Sequence, residues 1–327
     1  MVDPERGRLT GWSHFLEEGQ AGEPPTAIGT AYGLHTVLTL GATDGRLAPS
    51  ELVETLWRLR LRDGGWAART GAGVGRPEVT ALVAGVLSRA GADRGRLDEA
   101  VASLEQMLQL GEDPEGLART YVVTTALRGL VRAAPHSPLI ASLRAELLSG
   151  TLRDAEHGGL LCWGAWLGGP TGLWSAPSPS TVHTAQAVLA LSRAAQVLQE
   201  DNHCRQSREQ GVRWLLTAGG LDNRVEHVRR SLSPPQQGRD HAVVRHFTAA
   251  WVAKALLSTP ADYLAGGADS EQRRVDRLEA AVAAVWRSQS DGVWGWEDDR
   301  YLRPIWMTYQ GLSVLRSPEL CGWTPPS

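Results

Sequence analysis

Three side chains that could handle a proton or a ligand recur at one place in a repeating pattern. Glu78, His246 and Trp306 each lie two residues before a Thr near the start of an apolar helix, namely Thr80, Thr248 and Thr308. Equivalent positions in a repeat point alike, so the pattern predicts that these three face a common space. A carboxyl buried there has a raised pKa and can serve as an acid, and an imidazole can shuttle a proton. The competing role for Glu78 is a first-turn carboxylate favoured by the helix dipole. His183 lies in the first turn of another such helix, and Asp298 and Asp299 precede the last one as reserve acids. Trp166, Trp296 and Trp306 offer aromatic surface to an apolar or cationic guest. The long stretch between Leu221 and Thr248 reads as a loop and carries Arg239 and Arg245 among other Arg and His residues. Arg beside a helix start suits phosphate or diphosphate, although a solvated loop has the same composition. The catalytic candidates are therefore Glu78, His246, Asp298 and Asp299. The ligand-binding candidates are Trp306, His183, Trp166, Trp296, Arg239 and Arg245.

The elements that must position these groups follow from the repeat itself. Six segments align on a Thr that opens an apolar helix: Thr30, Thr80, Thr125, Thr184, Thr248 and Thr308, at intervals of 45–64 residues. Pro25, Pro77, Pro179 and Pro304 stand at or just before a helix start, where a missing N–H is harmless. Each of these helices is expected to follow a helix with charge on one face, for example those over 51–61, 97–110, 139–150, 208–218 and 277–289. Outer helix, Gly/Trp loop and buried inner helix repeat around the chain. The predicted fold is all-α, a single (α/α)6 toroid of six helical hairpins, closed so that no edge repeat needs a cap. The expected boundaries are an N-terminal segment at 1–20, the toroid at 21–318 and a tail at 319–327. The loops before the inner helices make one mouth Trp-rich, with Trp66, Trp163, Trp174 and Trp294 added to the three above. Trp in a repeat motif also braces neighbouring hairpins, and that reading stays open for Trp66, Trp174 and Trp294. The Thr set reads as structural.

Composition narrows the partners. With 33 basic and 36 acidic residues the net charge is −3, so no global field invites nucleic acid. Cys162, Cys204 and Cys321 are odd in number and form no CxxC pair, which fits a reducing compartment. The charged start MVDPERGRLT has no apolar run of signal-peptide type, and no stretch reaches membrane-spanning length. A cytoplasmic protein without a membrane span is expected.

Asp63-Gly64-Gly65-Trp66 followed by Arg76-Pro77-Glu78-Val79-Thr80-Ala81 resembles the repeat of squalene cyclases and protein prenyltransferase β subunits. Gln289-Ser290-Asp291-Gly292-Val293-Trp294 resembles the Gln/Trp motif of the same terpenoid cyclase and prenyltransferase family, and Pro179 to Ala187 fits its inner helix. The resemblance spans about residues 20–316 and implies a toroid with a central cavity for an isoprenoid-like ligand. The family's cyclase acid, Asp-x-Asp-Asp, does not occur; the nearest run is Glu297-Asp298-Asp299. Met307 stands where the prenyltransferase zinc His would be, and Met is a poor zinc ligand. No metal and no cofactor are expected. Two functions remain: a toroid that binds an apolar ligand, with possible acid-assisted cyclase or transferase chemistry, and a non-catalytic module that binds a protein or peptide partner.

Overall fold

The computed structural model describes residues 1–16, 23–41, 47–68, 73–110, 114–168, 178–231, 239–260, 268–296 and 302–321. Two layers of helix alternate along the chain. The inner layer is α1 (Ala27–Leu40), α3 (Pro77–Arg89), α6 (Thr120–Ala133), α8 (Thr181–Ala194), α10 (Thr248–Leu257) and α12 (Ile305–Leu315). The outer layer is α2 (Pro49–Arg58), α4 (Arg94–Leu110), α7 (Leu139–Ser149), α9 (Asn202–Thr217) and α11 (Ala268–Arg287), with a four-residue helix α5 (Pro114–Leu117) before α6. Inner helices pack in the order α1–α3–α6–α8–α10–α12, and α12 packs back on α1. The ring is thus a closed (α/α)6 toroid. Among the described residues it has six inner and five outer helices. The seam between α12 and α1 is sealed by the N-terminal segment: the Leu16 amide donates to Arg303 and the Ile305 amide to His14.

The inner helices are buried nearly all round because their sequences carry little charge and many small residues. Gly129 of α6 is one such position. A methyl group there would stand 2.4 Å from the Ala81 carbonyl, so α3 and α6 meet backbone to backbone. Three Gly/Trp loops are then pinned in the same way. The backbone N–H of Trp66, Trp163 and Trp294 donates to Thr80, Thr184 and Thr308 at 3.1, 2.9 and 3.4 Å. The indole N–H of the same three residues reaches a carbonyl of the preceding outer helix: Leu56, Leu147 and Val285, at 2.6–2.7 Å. Thr80, Thr184 and Thr308 and these Trp are therefore bracing residues, with Trp163 as the brace of the fourth repeat, whereas the buried hydroxyls of Thr30 and Thr248 hold no hydrogen bond among the described residues. Trp174 lies outside the described residues.

The observed caps correct the Thr alignment. Thr30, Thr80, Thr184 and Thr308 are each the fourth residue after a helix cap (Thr26, Arg76, Ser180 and Pro304). Thr125 is the sixth after Arg119, and Thr248 is the first helical residue after Phe247. His246 accordingly does not share a repeat position with Glu78 and Trp306. The long stretch before Thr248 is also not a loop. It holds an antiparallel hairpin, β5 (Arg224–Ser231) paired with β6 (Arg239–His246), with Glu226 opposite Val244 and Arg224 opposite His246. Three short two-stranded ribbons complete the described strands: β1 (Val2–Asp3) with β2 (Gly7–Arg8), β3 (Leu152–Asp154) with β4 (Leu160–Cys162), and β7 (Gln289–Ser290) with β8 (Val293–Trp294). No helix of the described residues is long and apolar enough to cross a membrane.

Candidate functional site

Residues alternate on β5 with the period of a half-buried strand: Val225 and His227 are exposed, Glu226 and Val228 are buried. The hairpin lays this face over the N-terminal ends of α6 and α8. Glu226 arrives there from β5 and His246 from the end of β6, diagonal neighbours on one face. His183 enters from the first turn of α8, and Arg119 is the residue that caps α6. His246 Nε2 lies 2.8 Å from Glu226 Oε2, and His183 Nε2 lies 3.3 Å from the same oxygen, off the angle of a good hydrogen bond. An Arg119 nitrogen is 3.7 Å from Glu226 Oε1, and its guanidinium stacks over Trp166 at 3.8 Å. The two imidazoles meet edge to face, 5.1 Å between centres, with the Tyr121 ring 6.2 Å from His246.

Each imidazole is oriented from behind. His183 Nδ1 is 2.8 Å from Ser180 Oγ, and Gln186 Nε2 is 3.3 Å from His246 Nδ1. With the amide of Gln186 in this orientation it donates to His246, whose own proton then sits on Nε2 and faces Glu226. Burial pushes His183 down to about 4 although Glu226 pulls it upward, so His183 is neutral at pH 7. Burial raises Glu226, but His183 and His246 outweigh it and hold the carboxyl well below the usual range. Two acceptors in the cluster, Glu226 Oε1 and Gln186 Oε1, are buried and receive no hydrogen bond among the described residues. Buried orphan acceptors are uncommon and invite a donor from a ligand or water.

The same donors could hold a metal ion. His183, Glu226 and His246 offer one ligand atom each, all within 4.8 Å of one another. Two imidazoles and a carboxylate, with the far ring nitrogens held by Ser180 and Gln186, match the donor chemistry of a three-ligand catalytic site. Against this, the 2.8 Å separation of His246 from Glu226 is a hydrogen-bond distance, which requires a proton where a shared metal would have none. The expectation of no metal thus meets a donor set that the sequence did not group.

Of the sequence candidates, the structure brings His183 and His246 together and places Trp166 beside them through Arg119. Arg245 adjoins His246 on β6 and lies over Trp296 at 5.6 Å. Trp306 and Trp296 are buried, and Glu78 is half-buried in the first turn of α3. Asp298, Asp299 and the side chain of Arg239 lie outside the described residues. Glu226, Arg119 and Gln186 were not singled out; for Glu226 the available signal was the inward alternation with Val228.

Proton linkage in this cluster has a definite sign. His183 binds its proton near pH 4 when folded and near 6.5 in the ordinary state, so the unfolded chain is protonated first as pH falls. Its contribution is complete above pH 6.5 and is lost as pH falls towards 4, about 3 kcal/mol in all. Glu226, also held low, extends the loss below the ordinary carboxylate range. Urea unfolding of chelator-treated protein should show this slope between pH 6.5 and 4.5, and His183→Gln should flatten it. A flat wild-type profile contradicts the buried neutral imidazole.

No family model matches the chain, and no curated protein matches it. Solved structures do. A sugar epimerase from a ruminal bacterium superposes with a TM-score of 0.57 at 11% identity, over 96% of this chain and 93% of the other. A family 76 glycoside hydrolase from a bovine Bacteroides thetaiotaomicron strain gives 0.56 at 9% identity, over 94% of this chain and 73% of the other. A type II terpene cyclase from Scytonema gives 0.55 at 17% identity, over 96% and 94%. The likeness is one of fold. The chain is an α/α toroid, the ring that a terpene cyclase shares with enzymes named for action on sugars.

Proposed function

We propose that this toroid is an acid–base enzyme that moves a proton on a small polar, carbonyl- or hydroxyl-bearing substrate, with His183 and His246 as the proton-handling pair around Glu226. The observation that carries this reading is the convergence of two oriented imidazoles on one buried carboxylate oxygen. Glu226 holds the imidazoles in place and balances charge on them as protons pass. The orphan acceptors Glu226 Oε1 and Gln186 Oε1 suit substrate hydroxyl donors, and Trp166, stacked on Arg119, puts aromatic surface beside them. The fold's occurrence in a sugar epimerase and a glycoside hydrolase supports a carbohydrate-like substrate. Glycoside hydrolysis normally uses two carboxyl groups. The described cluster holds one, which favours proton transfer over hydrolysis.

The second reading is an apolar isoprenoid-like guest, favoured by the buried Trp296 and Trp306. Its cyclase form needs a carboxylic acid that stays protonated until it gives its proton to an alkene. Glu226 is held in the opposite state. The test is solvent exchange. The protein is incubated in D2O with a panel of aldoses, ketoses and N-acylated amino sugars, and NMR follows deuterium entry next to the carbonyl. Exchange that disappears in His246→Gln and survives chelation supports the proposal. Exchange lost on chelation assigns the chemistry to a metal, and no exchange on any sugar, with turnover of a prenyl alcohol or diphosphate, assigns the site to the apolar reading.

A further inference from the structure

The inner ring carries a second group of chemistry, at the end opposite the imidazoles. The six inner helices hold five cations and one anion. The anion is Glu78, in a first turn. The cations are Arg89, Arg128, Arg132, Arg193 and Lys254, all in the second half of their helices and drawn from four of the six. Along α8 alone, His183 and Arg193 are ten residues apart, so about 15 Å separates the two ends. Lys254 is the only lysine in a chain of 33 basic residues.

The cations converge on aromatic and neutral polar groups rather than on carboxylates. Lys254 Nζ lies 5.0 Å from the Tyr309 ring centre and 5.5 Å from that of Trp251, and the Arg128 guanidinium lies 4.6 Å from the same Trp251 ring. His35 stacks on Tyr309 at 4.7 Å and receives Arg89 on Nδ1 at 3.3 Å, and Tyr32 closes the group 5.7 Å from Tyr309. No ion pair joins any of the five cations to a described carboxylate. Cations near helix C-termini do complement the helix dipole. That account covers Arg89, Arg132, Arg193 and Lys254, each in the last turn of its helix, and fails for Arg128, which lies a full turn further in. Burial lowers Lys254 to about 7 and Arg128 to about 10, each further depressed by neighbouring cations.

We propose that this end of the ring is a binding site for a phosphate-bearing small molecule, gripped by Arg128 and Lys254 and admitted past Arg89, Arg132 and Arg193. Glu319 acts on Arg193, but no described carboxylate acts on Arg128 or Lys254, and a multivalent oxyanion supplies the counter-charge that these two lack; guanidinium groups match phosphate geometry. His35, with Arg89 on Nδ1, carries its proton on Nε2 and adds a neutral donor. The site is independent of the imidazole cluster and of the function assigned to it.

A single lysine makes the test selective. The intact protein is treated at pH 7.5 with pyridoxal 5′-phosphate, the imine with any amine is reduced by borohydride, and the adducts are mapped by peptide mass spectrometry. The aldehyde condenses with the neutral amine and releases water; hydride then fixes the bond. Lys254 should be modified at least tenfold faster than by pyridoxal, which lacks the phosphate. Millimolar pyrophosphate should protect it, and sodium chloride at equal ionic strength should not. Arg128→Gln should remove the preference for the phosphorylated reagent. Labelling confined to the N-terminal amine, equal rates for the two aldehydes, or no protection by pyrophosphate overturns the proposal. As an independent check, pyrophosphate should raise the thermal midpoint of the wild type saturably and leave that of Lys254→Met unmoved.

Discussion

Glu226→Gln is expected to leave a folded protein about 3 kcal/mol less stable and, on its substrate, about 10²–10⁴-fold slower. The change is nearly isosteric, so packing of the buried hairpin face is kept and the lost quantity is charge. His246 then donates to a neutral amide oxygen in place of a carboxylate, and a charge-assisted hydrogen bond becomes an ordinary one. Arg119 loses the anion 3.7 Å away and keeps its stack on Trp166. The two readouts separate two roles for the cluster. A structural latch that fastens the β5–β6 hairpin to the ring predicts the stability loss with solvent exchange on substrate unchanged. An acid–base site predicts both. Glu226→Asp should recover most of the stability, because the charge remains, and little of the rate, because the shorter side chain cannot reach both imidazoles. A Gln variant as stable and as active as the wild type removes Glu226 from the account altogether.

What the sequence shows and what it hides differ for physical reasons in these two sites. The ring was legible because its bracing parts recur: Trp66 with Thr80 and Trp294 with Thr308 are copies of one local geometry, and copies can be aligned. Thr125 and Thr248 fit the alignment by residue type but not by distance from the cap, and that register difference is what put His246 beside Glu78 and Trp306 on paper. The hairpin was missed because its two strands are polar and flank a Pro-Pro pair, so only Glu226 and Val228 betray an inner face. Glu226 could not be singled out for a further reason. Its partners are His183 and Arg119, 43 and 107 residues earlier, and a carboxylate in a run of Arg and His reads as solvated until the hairpin is seen to lie over α6 and α8. The cation cluster is hidden in the same way: no single inner helix shows more than two of its members.

Trp163→Ala should be the most damaging single change at a residue outside the reacting cluster, about 3–5 kcal/mol by the scale of buried aromatic truncations. The ring is fully buried and packs against the bare backbone of Gly211 in α9, where an added Cβ would stand 2.8 Å from the indole. Truncation also leaves the Leu147 carbonyl without the indole N–H it accepts. The consequence for the site comes through the backbone that follows. The Trp163 carbonyl accepts from the Ser180 amide, and Ser180 caps α8 and holds His183. Two residues on, the Ala165 carbonyl accepts from Thr120, and the Trp166 backbone bridges to Arg119. Loosening Trp163 therefore frees both the stacked face of Trp166 and the serine that orients His183. The expected result is a large fall in the urea midpoint together with loss of substrate exchange. Trp163→Phe, which fills most of the volume but donates no hydrogen bond, should fall between the wild type and the Ala variant in both. Stability lost in Trp163→Ala with full activity retained would mean that the loop from Trp163 to Trp166 braces the ring without positioning Arg119 or His183.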